Sequence, residues 1–395
     1  MVDQSSLPRL ITAHSTVYVA ERRHIDLVPS WQQAFANSRK DRRYYEIVED
    51  TIQQGFDYRY FVLEDRHGKV QAIQPFFLLD QDLLQGSPAS AQKWAGRLRK
   101  VFPRALTIRT LMVGCAAGEG HLDHTSDEHA EWIANSLHDA LVKHARMARA
   151  SMIVLKEFPA HYRGPLSCFS NNGYTRVPSL PFTRLNIDYE NFEAYMNATL
   201  SKSTRKDLRR KFRDAADAAP IELEVVTDVT PYVDEVYPLY LNVYRKSPLQ
   251  FERLTKNYLC RLGQEMPDKT RFFIWRQNGR AIAFSLCMLH GDSLYDEYLG
   301  LDYDVALDLH LYFYTLRDVV EWSIKHGLKW YCSSSLNYDP KRRLKCELMP
   351  MDLYVTHTSP AANFVLRRVL PLLEPTRNDK TLREFPNYDT LWGKA

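Results

Sequence analysis

Residues 333–347, SSSLNYDPKRRLKCE, close an apolar run with three serines and then present several basic side chains. An Asp-Pro pair favours a turn, because proline fixes its own φ and aspartate accepts hydrogen bonds from nearby backbone N–H groups, and Lys341 follows this pair directly. A lysine held beyond a strand end can stabilise the negative charge that develops when a nucleophile attacks a carbonyl carbon. Lys345 is a rival candidate, and an exposed basic turn is the alternative interpretation, because lysine and arginine mostly face solvent.

Three polar side chains interrupt the strand-like run SLYDEYLGL at residues 293–301. An amine that attacks a carbonyl must lose a proton, and Asp296 or Glu297 could accept it directly or through an ordered water. Strand alternation predicts that Asp296 and Tyr298 share one face and that Glu297 lies on the other. The alternative is that the three side chains line a solvated face and have no part in chemistry.

The elements that must position these residues occur twice along the chain. Residues 58–80 and 270–292 each hold two apolar runs around a His-Gly or Asn-Gly pair, and Asn-Gly between apolar runs is a strong hairpin signal. Helices are predicted before both hairpins, at 42–54 and 230–266. Hydrophobic periodicity after each hairpin predicts a strand, a long helix and a short strand. These elements span 107–114, 125–149 and 151–157 in the first half and 293–301, 304–326 and 328–334 in the second. The first half also holds an extra loop and helix at 85–104.

The order helix, helix, three strands, helix, strand resembles that of GNAT-type acyltransferases. Two such units in one chain resemble the Fem-type aminoacyl transferases and the related BioF-like acetyltransferase family. Three segments carry the resemblance, which covers most of residues 15–375: STRKDLRRKFRDA at 203–215, GLDYD at 300–304 and NYDPKRRL at 337–344. The resemblance implies an α/β chain of the α+β type, with two GNAT-like units that each contain a mixed, mostly antiparallel sheet flanked by helices.

The resemblance also implies a division of labour between the two halves. The first unit, residues 15–190, is expected to be a diverged copy that serves as scaffold or shapes the acceptor site. The second unit, residues 191–375, is expected to be catalytic. Residues 376–395 are expected to form a C-terminal tail.

In enzymes of this fold two adjacent parallel strands splay apart and the acyl donor lies in the opening. The resemblance places that opening between 293–301 and 328–334, and it makes Lys341 the counterpart of a lysine that stabilises the oxyanion. Asp296 or Glu297 would deprotonate the amine, and Tyr298 would orient it or donate a proton to the leaving group. The residues expected to contact the donor are Gly300, Ser333, Ser334, Ser335, Arg205, Arg209 and Arg342.

The sequence leaves the donor open between acyl-CoA and aminoacyl-tRNA. GCAAGEGHLDH at 114–124 has three glycines but lacks the Arg/Gln-x-x-Gly-x-Gly/Ala pattern with which CoA-dependent GNAT proteins bind pyrophosphate. The second half has LDYDVA at 301–306 in place of a glycine loop. The helix at 202–213 has a wide basic face that suits a phosphate-rich donor or, alternatively, solvent. The histidines and acids around 121–129 lack metal-ligand spacing, so no metal site is expected.

Composition narrows the remaining choices. The 52 basic and 48 acidic residues leave a net charge of only +4, which does not by itself indicate a nucleic-acid-binding protein. The six cysteines contain no CxxC pair, and the start of the chain lacks the apolar stretch of a signal peptide. No apolar run reaches the length of a membrane span. We therefore expect a cytoplasmic protein.

These observations together predict an N-acyltransferase that moves an acyl group from an acyl-CoA to a small-molecule or peptide amine by direct attack, without a bound cofactor. Transfer of an aminoacyl group from tRNA is the first alternative. The second is a non-catalytic binding protein on the same scaffold, against which the polar residues at 296–298 argue.

Overall fold

The computed structural model describes residues 9–82, 107–216, 219–247 and 250–392; the insertion expected at 85–104 lies outside the described residues. Within them the strands are β1 (Arg9–Ile11), β2 (Thr16–Ala20), β3 (Asp57–Glu64), β4 (Val70–Asp82), β5 (Thr107–Val113), β6 (Met152–Pro159), β7 (Thr175–Pro178), β8 (Phe182–Asn186), β9 (Ile221–Val226), β10 (Thr270–Gln277), β11 (Arg280–His290), β12 (Ser293–Leu301), β13 (Trp330–Ser333), β14 (Glu347–Met349) and β15 (Met351–His357). The α-helices are α1 (Arg22–Ile25), α2 (Arg42–Thr51), α3 (Asp127–Met147), α4 (Ser167–Asn171), α5 (Phe192–Thr199), α6 (Lys202–Ala216), α7 (Val233–Lys246), α8 (Lys256–Glu265), α9 (Leu311–Lys325), α10 (Tyr338–Arg343), α11 (Pro360–Leu373), α12 (Pro375–Asn378) and α13 (Tyr388–Trp392).

The strands of the described residues form two sheets. The first has the order β1-β2-β3-β4-β5-β6-β15-β7, and the second has the order β14-β8-β13-β12-β11-β10-β9. Neighbouring strands are antiparallel, except that β5 pairs with β6 and β12 pairs with β13 in parallel. Each sheet is therefore mixed and mostly antiparallel, and with its flanking helices it forms one of the two GNAT-like units that the sequence predicts.

The two units do not divide the chain where the sequence suggested. One lies within Met1–Ser179 and Met351–Pro375, and the other lies within Leu180–Pro350 and Thr376–Ala395. Boundaries at 190 and 375 therefore place two strands in the wrong unit, since β8 pairs with β13 and β14 whereas β15 pairs with β6 and β7. In each sheet the last strand of the parallel pair has a further neighbour from a distant part of the chain. This neighbour is β15 beside β6 in the first sheet and β8 beside β13 in the second. A short apolar run does not itself specify which of two edges it will join.

Local sequence signals account for the elements around the second parallel pair. Asn278 and Gly279 both adopt positive φ, 53° and 75°, which is the geometry that a tight Asn-Gly hairpin requires. Helix α9 begins at residue 311 rather than at the predicted 304. The delay has a local cause, because the Asp302 carboxylate accepts a hydrogen bond from the Asp304 N–H and His310 is left-handed with a φ of 48°.

The second unit has one apolar cluster that fixes the parallel pair. Leu294 of β12 and Tyr331 of β13 are buried in it together with Leu316 and Val320 of α9. Burial of each such side chain contributes roughly 1.5–3 kcal/mol to folding. The positions of β12, β13 and α9 are therefore set by packing that lies next to the predicted catalytic residues.

Candidate active site

The strands β12 and β13 separate at the position where the sequence placed the opening. Their parallel pairing runs from Ser293↔Trp330 to Asp296↔Ser333, where β13 ends, whereas β12 continues in register with β11 as far as Leu301. The Ser334 N–H still donates to the Asp296 carbonyl at 3.2 Å. The chain then turns away.

The turn after β13 has an unusual backbone. Leu336 and Asn337 have positive φ values of 75° and 49°. Such conformations are uncommon for residues with a side chain, and for leucine they cost energy. Strained backbone of this kind concentrates at functional sites, so the turn is a second indication, besides the strand divergence, of where a site lies.

A β-bulge changes which side chains of β12 face each other. Leu286 pairs with Tyr298 and Cys287 pairs with Asp296, so Glu297 is an extra residue in β12. An extra residue shifts the alternation of faces by one position. Asp296 therefore faces the side of the sheet that α9 covers, where the Tyr331 hydroxyl donates to its Oδ2 at 2.8 Å.

Tyr298 lies on the opposite side of the sheet, against α7. Its hydroxyl donates to Glu252 at 2.8 Å, and its ring contacts the Tyr240 ring with 6.4 Å between centroids. Gly300 faces the same way, because a Cβ built on it would lie 2.7 Å from the Tyr240 backbone nitrogen. The expectation that Asp296 and Tyr298 share one face is thus wrong, and the bulge is the reason.

The Asp296 carboxyl is a stronger base than an ordinary aspartate. Burial raises its pKa to about 6, while the hydrogen bond from Tyr331, the charge of Lys341 and the Ser285 and Cys287 side chains act in the opposite direction. Burial disfavours the ionised form because the protein interior solvates charge poorly. A carboxylate with such a pKa can accept a proton from an attacking amine near neutral pH.

Lys341 is buried, so the exposed-turn interpretation does not hold for this lysine. Only 4% of the residue is accessible, and its ammonium donates to the Ser334 carbonyl and lies 5.7 Å from the centre of the Tyr338 ring. Burial lowers its pKa to about 8, although Cys346 and Asp296 act to raise it. Lys345, the rival candidate, is exposed. Of the two lysines, Lys341 is the one that the fold holds beside Asp296.

The three serines at the end of β13 contribute mainly through their backbone and through structural hydrogen bonds. The Ser333 hydroxyl is buried and lies 2.8 Å from the Thr183 hydroxyl of β8. The Ser334 backbone connects Asp296 to Lys341, since its N–H donates to one residue and its carbonyl accepts from the other. Ser335 is half-buried in the bend that follows.

The arginines expected to bind the donor contact other partners. Arg205 donates to the Asn197 and Leu200 carbonyls at the end of α5, at 3.2 and 2.8 Å. Arg209 forms an ion pair with Glu193 and a hydrogen bond with Asn197. Arg342 pairs with Asp339 and Glu384, each at 2.9 Å. In the described part of the chain, none of these contacts is with the divergent strand ends.

Sequence reasoning missed several groups around the Asp296 carboxyl. Tyr331 and Cys287 donate hydrogen bonds to it, at 2.8 and 3.8 Å, and the buried Ser285 hydroxyl acts to lower its pKa. Tyr312 at the start of α9 is near enough that the Asp296 charge helps burial to raise the pKa of its phenol. The one sequence signal for this group was Tyr331, because its hydroxyl lies two residues before Ser333 in an otherwise apolar strand.

The corresponding position of the first unit is closed. Strands β5 and β6 pair up to Val113↔Leu155, and the glycine-containing segment 114–124 then packs against β6. The Gly120 N–H donates to the Glu157 carbonyl at 3.1 Å, and a Cβ on Gly120 would lie 2.6 Å from the Lys156 carbonyl oxygen. Gly120 therefore permits close packing of this segment against β6.

A buried charge cluster accompanies this closed segment. The Glu119 carboxylate pairs with Arg39, with Lys40 at 2.7 Å and with His121 at 3.1 Å. Burial acts to raise the pKa of Glu119, yet the two cations hold it well below its ordinary value. Among the described residues, no group of three or more His, Cys, Asp or Glu side chains is arranged to hold a metal ion.

Two sheets that each contain one parallel strand pair, with polar groups at the divergent ends of the second, define a tandem GNAT fold. The chain belongs to the FemAB-like family, described as a family of peptidoglycan biosynthesis and recognition, whose model matches residues 51–334. No curated protein matches the sequence. Membership in this family supports acyl transfer as the chemistry.

Three solved structures illustrate the fold. FemX is 11% identical, over 83% of this chain and 93% of its own, with a TM-score of 0.50. L-PGS from Bacillus licheniformis is 12% identical, over 82% and 95%, with a TM-score of 0.47. A tandem GNAT protein from the clavulanic acid biosynthesis pathway is 12% identical, over 80% and 87%, with a TM-score of 0.45. Separately, none of the helices in the described residues is both long and apolar enough to cross a membrane.

Proposed function

We propose that the second unit is an acyltransferase that joins an activated acyl group to an amine where β12 and β13 diverge. The observation that supports this most directly is the presence of a buried carboxyl and a buried ammonium at that point. Asp296 and Lys341 are connected there through the backbone of Ser334. A base and a fixed cation are the two groups that direct amine attack on a carbonyl requires.

The two groups have complementary roles in the proposed reaction. The amine nitrogen forms a bond to the carbonyl carbon and gives its proton to Asp296, and the carbonyl oxygen becomes negative. Lys341 stabilises that oxygen, a contribution of about 3–4 kcal/mol for one oxyanion donor in other enzymes. The carbon–sulfur or carbon–oxygen bond to the leaving group then breaks, and the leaving group takes up a proton.

Two activated donors fit this chemistry, an acyl-CoA thioester and an aminoacyl-tRNA ester. The charge before α9 supports the second. Asp302, Asp304 and Asp308 lie between β12 and α9, and the last two are exposed. Negative side chains at this position would repel a pyrophosphate that approached the N-terminus of the helix. CoA-dependent GNAT proteins have a glycine loop at this position, and its backbone N–H groups bind the pyrophosphate of CoA.

A cleft beside α6 gives the tRNA donor further support. It has a volume of about 470 Å³ and is lined by Phe192, Glu193, Met196, Arg209, Phe212, Arg213 and Arg317. The Arg317 guanidinium lies 4.8 Å from the centre of the Phe212 ring and pairs with Asp318. Arginine and aromatic side chains together suit the phosphates and bases of RNA.

Parallel binding measurements test the donor. Purified protein would be titrated with acetyl-CoA and with aminoacyl-tRNA at two salt concentrations, by fluorescence anisotropy. If tRNA is the donor, its binding should weaken steeply with salt, and Arg213→Ser should reduce it. Arg23 is an exposed arginine of the first unit, so Arg23→Ser is the control and should leave binding unchanged. Binding of acetyl-CoA alone would assign the thioester donor instead.

The same measurement can contradict the enzyme proposal. A protein that binds neither donor, while remaining folded by circular dichroism, has no activated acyl group to transfer. The non-catalytic alternative would then account for the tandem GNAT fold without chemistry. A small-molecule or peptide amine remains the proposed acceptor, and a screen of amines for thiol or tRNA release would identify it.

A further inference from the structure

Helix α11 carries apolar side chains on its outward face as well as on its inward face. It packs on β15 and β7 of the first unit. Its exposed apolar side chains are Phe364, Val365, Val369, Leu372 and Leu373, with 60%, 58%, 40%, 65% and 67% of each residue accessible. Positions 364, 365, 369, 372 and 373 form one stripe at helical spacing. A contiguous apolar stripe of this kind marks an interaction surface.

The charge on α11 is entirely positive. Between Pro360 and Leu373 the sequence contains two arginines and no acidic residue. Arg367 and Arg368 are both exposed. The Arg368 guanidinium lies 3.5 Å from the centre of the Phe364 ring and donates to the Phe364 carbonyl at 3.0 Å. At 100° per residue Arg368 lies between Phe364 and Leu372 on the outward face, and Arg367 lies at its edge. Long arginine side chains at such positions can bury their apolar stems while the charges stay hydrated.

We propose that α11 docks the protein on an anionic membrane surface and lies in the plane of the lipid headgroups. The apolar stripe would enter the boundary between headgroups and acyl chains, and Arg367 and Arg368 would contact lipid phosphates. Short helices with an apolar face and flanking arginines bind membranes in this way. At 14 residues the helix is about 21 Å long, which is too short to cross a hydrocarbon core of about 30 Å.

The charge pattern favours a lipid surface over a second copy of the chain. In a two-fold contact the same face meets itself. The arginines of both copies would then lie in one buried contact to which α11 brings no acid. Like charges brought together in an interface cost affinity. Lipid phosphates supply the negative charge that such a contact lacks.

Vesicle flotation with the full chain tests the proposal. Vesicles of phosphatidylcholine alone and of phosphatidylcholine mixed with phosphatidylglycerol would be compared at low and at physiological salt. We expect binding to the mixed vesicles that salt weakens. The double substitution Phe364→Asp, Leu373→Asp should reduce it about tenfold or more, since each replaces an apolar side chain of the stripe with a negative charge.

A matched control separates this face from general surface hydrophobicity. Leu307 of the second unit is 82% exposed, and Leu307→Asp should leave vesicle binding unchanged. Equal binding by the wild type and the double variant, or no binding to mixed vesicles at all, overturns the proposal. A dimer seen by sedimentation equilibrium that the double variant dissolves, without vesicle binding, assigns the face to a second copy instead.

Discussion

The parallel strand pairs of the two units occupy the same place in the order of elements but have opposite electrostatic character. In the second unit the pair diverges, and Asp296 has a pKa raised to about 6 because it is buried. In the first unit the following segment packs against β6, and two cations hold the pKa of the buried Glu119 well below its ordinary value. Glu119 therefore stays ionised throughout the physiological range, whereas Asp296 can gain and lose a proton.

This difference shows why we propose the second half of the duplicated chain as the catalytic one. Both halves keep the same frame of strands and helices, so the frame does not identify the active unit. A carboxylate neutralised by Arg39 and Lys40 is a structural group, because its partners suppress protonation. A carboxyl whose pKa lies near the working pH is suited to catalysis. The four predictions below test this contrast, starting with the largest expected effect.

Loss of either ionisable group of the second unit should abolish most of the acyl transfer. We expect Asp296→Asn to lower the rate by about 10²–10⁴-fold, because the amine proton loses its acceptor. Lys341→Met should lower it by about 10²–10³-fold, because the oxyanion loses its cation. The measurement is the transfer rate with saturating donor and amine, together with a thermal melt to show that each variant is folded.

Lys345→Met is the matched control for this experiment, because Lys345 lies in the same segment but is exposed. It should retain the wild-type rate. A folded Lys341→Met variant with the wild-type rate would remove the oxyanion role from Lys341.

Neutralising the first unit's carboxylate should instead reduce stability. Glu119→Gln removes one negative partner from each of the buried Arg39 and Lys40, and breaking a buried ion pair costs about 3–5 kcal/mol of unfolding free energy. Urea unfolding measures this loss. Glu193→Gln is the control, because Glu193 and its partner Arg209 lie on the surface, and it should cost only about 0–1 kcal/mol. The folded Glu119→Gln protein should transfer acyl groups at the wild-type rate. A stable but inactive variant would reverse the assignment of the two units.

The closed segment of the first unit should not accept a side chain at Gly120. An alanine Cβ there would meet both the Lys156 carbonyl and the Phe158 ring at 2.6 Å, so we expect Gly120→Ala to cost about 1–3 kcal/mol in urea unfolding. Gly164→Ala is the control, because no atom lies within 4 Å of its added Cβ and its φ is −62°. Equal stability of the two variants would show that the segment is loosely packed.

The smallest expected effect is a shift in the pH dependence of the rate. The base must be ionised and the lysine protonated, so the rate should rise as pH increases through about 6 and fall as it increases through about 8. The Tyr331 hydrogen bond lowers the pKa of Asp296, so Tyr331→Phe should move the lower limb to higher pH. Tyr388→Phe removes a hydroxyl that bonds the Thr376 carbonyl and should leave both limbs in place. A lower limb that Tyr331→Phe does not move would argue against Asp296 as the titrating group.

Much of the fold could be predicted from the sequence because its signals are local. Residues 58–80 and 270–292 indicated two hairpins through turn residues and apolar alternation, and the long helices followed from 3.6-residue periodicity. The repetition of this order along the chain indicated the duplication. Asp296 was selected as a candidate because it is an acid within a strand-like run, and Lys341 because it is a lysine in a turn that follows a strand.

Only the tertiary structure decided what those candidates can do. The bulge at Glu297 moved Tyr298 to the other face, and it arises from the register between β11 and β12, which no single segment encodes. Lys341 and Lys345 belong to one basic run, KRRLK, in which the sequence does not show which lysine is buried. The structure distinguishes them, because Lys341 is buried and Lys345 is exposed. Strand partners, burial and pKa depend on residues that are distant along the chain. Sequence patterns therefore specified the elements and the chemical types, whereas packing specified which of them meet and which are charged.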